Sequence, residues 1–173
     1  AIDYTLTASI DSGDRDTDED GYIDTEDSCD NTPGTSVYDR KGCIDSDSDG
    51  YSDPEVGWGP NNGADAVPYQ PTQWQDSDND GFGENLEGYQ GDFCTYNSGG
   101  SYNDRYGCLD SDGDGFSDPD PGGLYGVSEW FAHPVGLADA FSLDNTQWTD
   151  TDADGYGDNW EDPMWNETHI AWG

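Results

Sequence analysis

Hydrophobic residues are scattered along this chain and form no long periodic segment. Its 24 Gly and 9 Pro interrupt every candidate helix, and the polar segments lack the 3.6-residue period of an amphipathic helix. Alternation of apolar and polar residues predicts short strands only at 4–10 and near 168–172. We therefore expect a mostly irregular fold with few short β-strands and little or no helix.

Composition by itself would indicate a disordered chain. Hydrophobic residues make up 31% of the sequence, and 40 acidic residues face 4 basic ones, for a net charge of −36. Two features oppose disorder: 7 Trp, 11 Tyr and 5 Phe are present, and the acids recur at fixed spacing. The charge excludes binding to nucleic acid and to anionic membrane surfaces. No apolar run approaches the ~20 residues of a membrane span.

The chain contains two related copies of one pattern. Segment 43–54 returns as 108–119, whereas the segments 64–66 and 72–74 return as 138–140 and 146–148, at an offset nine residues larger. Insertions belong in loops, so 55–63 and 120–137 are predicted variable loops. We predict an N-terminal strand segment at 1–13, repeat unit 1 at 14–75, repeat unit 2 at 76–149, and a partial third unit with a C-terminal tail at 150–173.

Five acidic loops follow the DxDxDG spacing of an EF-hand calcium loop. Such a loop supplies carboxylates at positions 1, 3 and 5, a backbone carbonyl at 7 and acids at 9 and 12, and Gly at 6 permits the sharp turn. Three loops are complete in sequence, with the predicted ligands Asp16, Asp18, Asp20, Tyr22, Asp24 and Asp27; Asp76, Asp78, Asp80, Phe82, Glu84 and Glu87; and Asp150, Asp152, Asp154, Tyr156, Asp158 and Glu161.

The other two loops lack an acid at position 12. Their predicted ligands are Asp45, Asp47, Asp49, Tyr51 and Asp53, and Asp110, Asp112, Asp114, Phe116 and Asp118, and position 12 is Val56 or Pro121. Pro at position 10 redirects the chain, so the missing ligand must be water or come from elsewhere. Our hypothesis is that Asp65 and Asp139, the acids of the two Ala-Asp-Ala triplets, fold back to complete these sites.

Calcium is the predicted metal, with about five ions or more per chain. Oxygen cages with many carboxylates suit the larger, more flexible cation better than Mg²⁺. The sequence offers few ligands for softer metals, because His133 and His169 are the only histidines. We expect each of them to be an ordinary polar side chain. Gly and Pro flank the loops and Met164 is the only Met, so these are not sensor EF-hands with an opening helix pair. Metal is expected to act structurally, and the metal-free chain is expected to be largely unfolded.

The four cysteines form two pairs of identical spacing. That regularity predicts the disulfides Cys29–Cys43 and Cys94–Cys108 and an oxidising compartment. Metal-bound thiols are the weaker alternative because no CxxC motif or Cys/His cluster is present. Asn166 begins the sole N-glycosylation sequon, which suits an extracellular surface. The chain opens on Ala1 without a charged and apolar leader, as expected of a mature or excised product.

The segment 16–34, running on to 42–50, resembles the thrombospondin type 3 repeat in its microbial surface-protein form. In both, a Cys pair separates successive acidic loops, and the resemblance spans roughly residues 14–162. It implies a calcium-wrapped chain with little regular secondary structure that serves as a stalk, linker or matrix element. The family's calcium ligands carry over to the loop acids named above. The sequence departs from the family at Val56 and Pro121, and at Asp30 and Thr95, where Pro is usual.

The sequence favours an extracellular structural protein over an enzyme. We find no Ser/His/Asp set, nucleophilic Cys or phosphate loop, and the acids are committed to metal. The orphan strand 4–10 and the apolar tail favour a homo-oligomer or a head-to-tail filament formed by strand addition. The alternative is a calcium-dependent adhesin or glycan-binding module with Trp58 and Trp130 as contacts. Trp74 and Trp148 occupy matching positions, and we expect each to pack against a neighbouring loop.

Overall fold

The computed structural model describes residues 15–123 and 129–159. Within these ranges the helical content is one 3-10 turn, Pro60–Asn62. β-Pairing there is limited to three isolated bridges, Glu55 with Trp58, Asp120 with Trp130, and Ala132 with Ala138. The prediction of a mostly irregular fold is confirmed. The predicted strands at 4–10 and 168–172 lie outside the described residues.

The chain divides into two compact units, Ala1–Trp74 and Gln75–Gly173. The first unit contains two of the acidic loops and the second contains the other three. Each unit contains one of the predicted disulfides, Cys29–Cys43 in the first and Cys94–Cys108 in the second. The repeat boundaries given above stay a prediction.

The interior of each unit is polar. Among the described residues, the buried apolar side chains are Ala64, Ala138 and three of the half-cystines, Cys43, Cys94 and Cys108. The largest fully buried side chains are instead Gln73, Gln147 and the acids Asp65, Asp92 and Asp139. Buried polar groups stabilise a fold only when hydrogen bonds or ions satisfy them. The acidic loops must therefore account for much of the packing.

The disulfide-bonded segment joins consecutive acidic loops within each unit. Its early part contacts the preceding loop, because the N–H of Gly34 donates to Asp20 Oδ2 at 3.0 Å. Its later part contacts the following loop, because Val37 N and Tyr38 N donate to the carbonyl of Gly50. The second unit repeats both contacts, from Gly99 N to Asp80 Oδ2 at 3.0 Å and from Tyr102 N and Asn103 N to the carbonyl of Gly115.

Trp74 and Trp148 stack on the aromatic residue at position 7 of an acidic loop. The ring of Trp74 lies 5.5 Å from Tyr51 at an interplanar angle of 3°, and Trp148 lies 5.2 Å from Phe116 at 10°. The carbonyl of each Trp also accepts a hydrogen bond, from Ala66 N or Ala140 N, so the Thr-Gln-Trp and Ala-Asp-Ala segments pair. The expectation that these tryptophans pack against a neighbouring loop is confirmed.

Trp58 and Trp130 also occupy equivalent positions, which the sequence analysis missed. Each forms an isolated β-bridge with the acid at position 11 of its loop, Trp58 with Glu55 and Trp130 with Asp120. Each also lies beneath an arginine guanidinium, Arg40 at 5.4 Å and Arg105 at 4.5 Å from the ring centroid. The different lengths of the variable loops hide this match in the sequence. Both rings therefore have internal partners and are only partly exposed.

Two neighbouring glycines test how tightly the disulfide segment is packed. A Cβ added to Gly99 would lie 2.0 Å from the carbonyl carbon of Cys108, whereas a Cβ on Gly100 would meet nothing within 4 Å. We expect Gly99→Ala to destabilise the second unit by about 3 kcal/mol, because backbone must move, and Gly100→Ala to cost less than about 1 kcal/mol. Urea unfolding in saturating calcium measures both, and equal midpoints would contradict this packing.

Candidate metal centres

Each acidic loop gathers the carboxylates of positions 1, 3 and 5. In every loop one oxygen from each acid lies within 4.8 Å of the others. The five groups are Asp16, Asp18 and Asp20; Asp45, Asp47 and Asp49; Asp76, Asp78 and Asp80; Asp110, Asp112 and Asp114; and Asp150, Asp152 and Asp154. Such a group could hold a metal ion, as the spacing predicted.

The same backbone hydrogen bonds shape all five loops. Position 1 accepts the N–H of the position-6 glycine, as at Asp45 Oδ2 from Gly50 N, at 3.0 Å. Position 5 accepts the N–H of position 7, as at Asp49 Oδ1 from Tyr51 N, at 2.8 Å. The N–H of position 9 donates to the carbonyl before position 1, as from Asp53 to Ile44, at 2.7 Å. The equivalent bonds in the other loops are 2.7–3.1 Å long.

Left-handed backbone conformations close each turn. The glycine at position 6 has a φ between 86° and 103° in the five loops. Residues with a side chain rarely adopt this backbone conformation, so the motif requires glycine there. Position 4 is also left-handed, from 59° at Ala153 to 82° at Gly113. This conformation turns the N–H groups of the loop towards the position-1 carboxylate and leaves the acids on the inside.

The acid at position 9 has a structural partner in four loops. Asp24, Asp53, Asp118 and Asp158 each accept hydrogen bonds from the N–H and the hydroxyl of the Ser or Thr at position 2. For Asp158 these hydroxyl and backbone bonds from Thr151 lower the pKa. In the third loop position 9 is Glu84, whose Oε1 is buried without a hydrogen bond. In four loops the position-9 acid therefore stabilises the turn through its hydrogen bonds to position 2.

A buried acid that the sequence analysis did not single out, Asp92, lies beside the third acidic loop. Glu87 at position 12 is exposed, whereas Asp92 is 1% exposed. A Cβ on Gly107 would lie 2.2 Å from Asp92 Oδ1 and 3.2 Å from Asp80 Oδ2. A Cβ on Gly42 would lie at the same distances from Asp27 Oδ1 and Asp20 Oδ2, so Asp92 occupies the place of Asp27. The signal in the sequence was an Asp two residues before the first Cys of each pair.

Asp65 and Asp139 lie beside the two loops that lack a position-12 acid. Both are 1% exposed. Burial, together with repulsion from Asp49, Asp47 and Asp53, raises the pKa of Asp65 to about 7. Burial raises the pKa of Asp139 to about 7 in the same way, with repulsion from acids of the loop 110–118. The chain does fold back as the hypothesis required.

The donor set fits a hard cation such as calcium. Every side chain in the five groups offers carboxylate oxygen, and several of these oxygens are buried without a hydrogen bond, among them the Oδ2 atoms of Asp18, Asp49 and Asp114. The Oδ2 atoms of the neighbouring Asp65 and Asp139 are in the same state. A bare carboxylate oxygen in such a place is costly unless a cation or a donor meets it. Calcium takes six to eight oxygens in a flexible arrangement, which matches these clusters.

The carboxylate of Glu161 and the sequon residue Asn166 lie outside the described residues, as does His169. His133 accepts the N–H of Asp150 through Nδ1 at 3.2 Å, so it supports the fifth loop as a polar side chain.

Comparisons with known proteins do not identify the chain. A scan against protein-family models and searches of curated proteins and of solved structures found no significant match. The resemblance to thrombospondin type 3 repeats therefore stays an expectation. Among the described residues, no helix has the length and apolar character needed to cross a bilayer.

Proposed function

We propose that the chain is an extracellular structural protein whose fold depends on calcium, serving as a stalk, a matrix element or a self-assembling filament subunit. The observation that carries the proposal is the set of five Asp groups, built on one backbone pattern, in described segments that bury hardly any apolar side chains. The two disulfides support an oxidising, extracellular setting. Metal is proposed as a part of the scaffold rather than as a signal.

The glycan-binding alternative has less support. Its proposed contact residues, Trp58 and Trp130, pack against Arg40 and Arg105 within their own units. A ring that is covered on one face by a guanidinium has less area for stacking on a sugar. We also infer that the acids serve metal binding rather than catalysis, because each loop holds three carboxylates within 4.8 Å of one another by the same backbone hydrogen bonds.

Native mass spectrometry and electron microscopy of the purified chain test this proposal. We expect about five calcium ions per chain and ordered assemblies that disperse when a chelator is added. Monomers alone at saturating calcium would contradict the filament role and leave the stalk or matrix role. Saturable binding to a glycan array without assembly would favour the adhesin. Absence of calcium binding would overturn the proposal itself.

A further inference from the structure

The two loops without a position-12 acid share a feature that the Asp groups alone do not explain. Behind each lies one aspartate from a distant part of the chain, Asp65 behind the loop 45–53 and Asp139 behind the loop 110–118. Each is 1% exposed, and the Oδ2 atom of each is buried and accepts no hydrogen bond. A buried carboxylate with an unpaired oxygen, repelled by three other carboxylates of the loop, is destabilising unless a cation lies between them.

The backbone fixes these two aspartates in one specific position. The N–H of Asp65 donates to the carbonyl of Ser52 at 2.8 Å, and the N–H of Asp139 donates to the carbonyl of Ser117 at 3.0 Å. Ser52 and Ser117 both occupy position 8 of their loops. The Oδ1 atom of each aspartate accepts the N–H two residues later, from Val67 or Phe141, at 2.7 Å. One oxygen is thereby committed to the backbone and the other remains for the site.

The first and third loops have the same arrangement with a nearer aspartate. Asp27 N donates to Ile23 O at 3.0 Å and Asp92 N to Gly83 O at 2.7 Å, again at position 8. Their Oδ1 atoms accept the N–H of Cys29 and Cys94, at 2.7 and 2.6 Å. Four loops therefore present one closing aspartate in one geometry, although it lies at a different distance along the chain in each case.

We propose that Asp65, Asp92 and Asp139 are direct ligands of the metal ions, each equivalent to Asp27, and that Glu87 is not a ligand. This inference rests on the proposed calcium binding. In the second and fourth sites the ion would then bind residues on both sides of a variable loop. The acidic loop precedes the segment 55–63 or 120–137, and Asp65 or Asp139 follows it. The second copy of that segment is nine residues longer, yet Asp139 donates to the carbonyl of position 8 as Asp65 does. Metal closure thus explains how the loop varies in length without altering the site.

Calcium titration of the full chain against a competing chelator tests the assignment. The variants are Asp65→Asn, Asp139→Asn and Asp92→Asn, together with Glu87→Gln, which should leave binding unchanged if Glu87 is not a ligand. The control is Glu26→Gln, which removes an equal charge at an exposed position outside the predicted ligand set. Asn keeps the size and the Oδ1 acceptor. We expect each Asp variant to weaken one site at least tenfold and the control to bind like the wild type. Terbium luminescence lifetimes in H₂O and D₂O should show about one more metal-bound water at the altered site.

The outcomes separate this inference from the proposed function. If the wild type binds neither calcium nor terbium, both fail. If it binds about five ions and the Asp variants titrate like the control, only the ligand assignment fails. A variant that unfolds at low calcium but refolds as calcium is raised supports a ligand role, because mass action restores a weakened site. A variant that stays unfolded at every calcium concentration overturns the assignment in favour of a packing role.

Discussion

Removing calcium with a chelator is expected to unfold the described parts of both units. The buried apolar side chains there are two alanines and three half-cystines, so hydrophobic burial contributes little. Opposing the fold is a net charge of −36 and a set of buried acids that includes Asp65, Asp92 and Asp139. Without a cation these carboxylates must either repel one another in the interior or take up protons.

The expected size of the effect follows from mass action. At a calcium concentration of a hundred times the dissociation constant, each site stabilises the folded chain by about 2.7 kcal/mol. Five such contributions are comparable with the whole net stability of an ordinary domain, roughly 5–15 kcal/mol. Loss of all five should therefore leave no stable fold, although the disulfides continue to constrain the unfolded chain.

Hydrogen exchange measured by mass spectrometry gives the readout. With calcium, the N–H groups of Gly50, Gly115 and the other position-6 glycines should exchange slowly, because each is bonded to the position-1 carboxylate. After chelation they should exchange at the rate of an unfolded chain. Magnesium at the same concentration is the control and should restore protection only partly, because it demands a smaller octahedral site. Protection that survives chelation would contradict the metal-dependent fold.

The triplets and the disulfides could be predicted from the sequence because both are local. Asp45, Asp47 and Asp49 are separated by single residues, so spacing alone brings them together. The spacing of Cys29 and Cys43 recurs at Cys94 and Cys108, and this repetition was enough to predict which cysteines pair. The absence of helical periodicity was enough for the fold class.

Residues that act at a distance were harder to predict. For the third loop the spacing rule selects Glu87, whereas the buried acid beside Asp80 is Asp92, which the chain reaches after a turn in which Gly88 N bonds to Asn85 O at 2.8 Å. The equivalence of Trp58 and Trp130 was hidden by variable loops of unequal length. Asp65 could be proposed because its triplet recurs, but its burial depends on the bond to Ser52, which spacing does not reveal.

Replacing Arg105 by Met is expected to destabilise the second unit strongly. The chain has only four basic residues, yet Arg105 is 5% exposed. Its guanidinium lies 4.5 Å from the ring centroid of Trp130, and its Nε donates to Ser117 Oγ at 3.4 Å. Burial lowers its pKa, and the charges of Asp104 and Asp120 oppose that change. Removing one member of a buried charged group costs about 3–5 kcal/mol, because the remaining charge stays buried.

Arg40→Met is the matched control in the first unit. Arg40 lies over Trp58 as Arg105 lies over Trp130, and it pairs with Glu55, but the Glu55 side chain is 54% exposed and that of Arg40 is 19% exposed. An exposed pair is worth about 0–1 kcal/mol, since water replaces it. Urea unfolding in saturating calcium, followed by hydrogen exchange in each unit, should therefore give a several-fold larger loss for Arg105→Met. Equal losses would mean that ring packing, which both variants disturb alike, outweighs the buried charge.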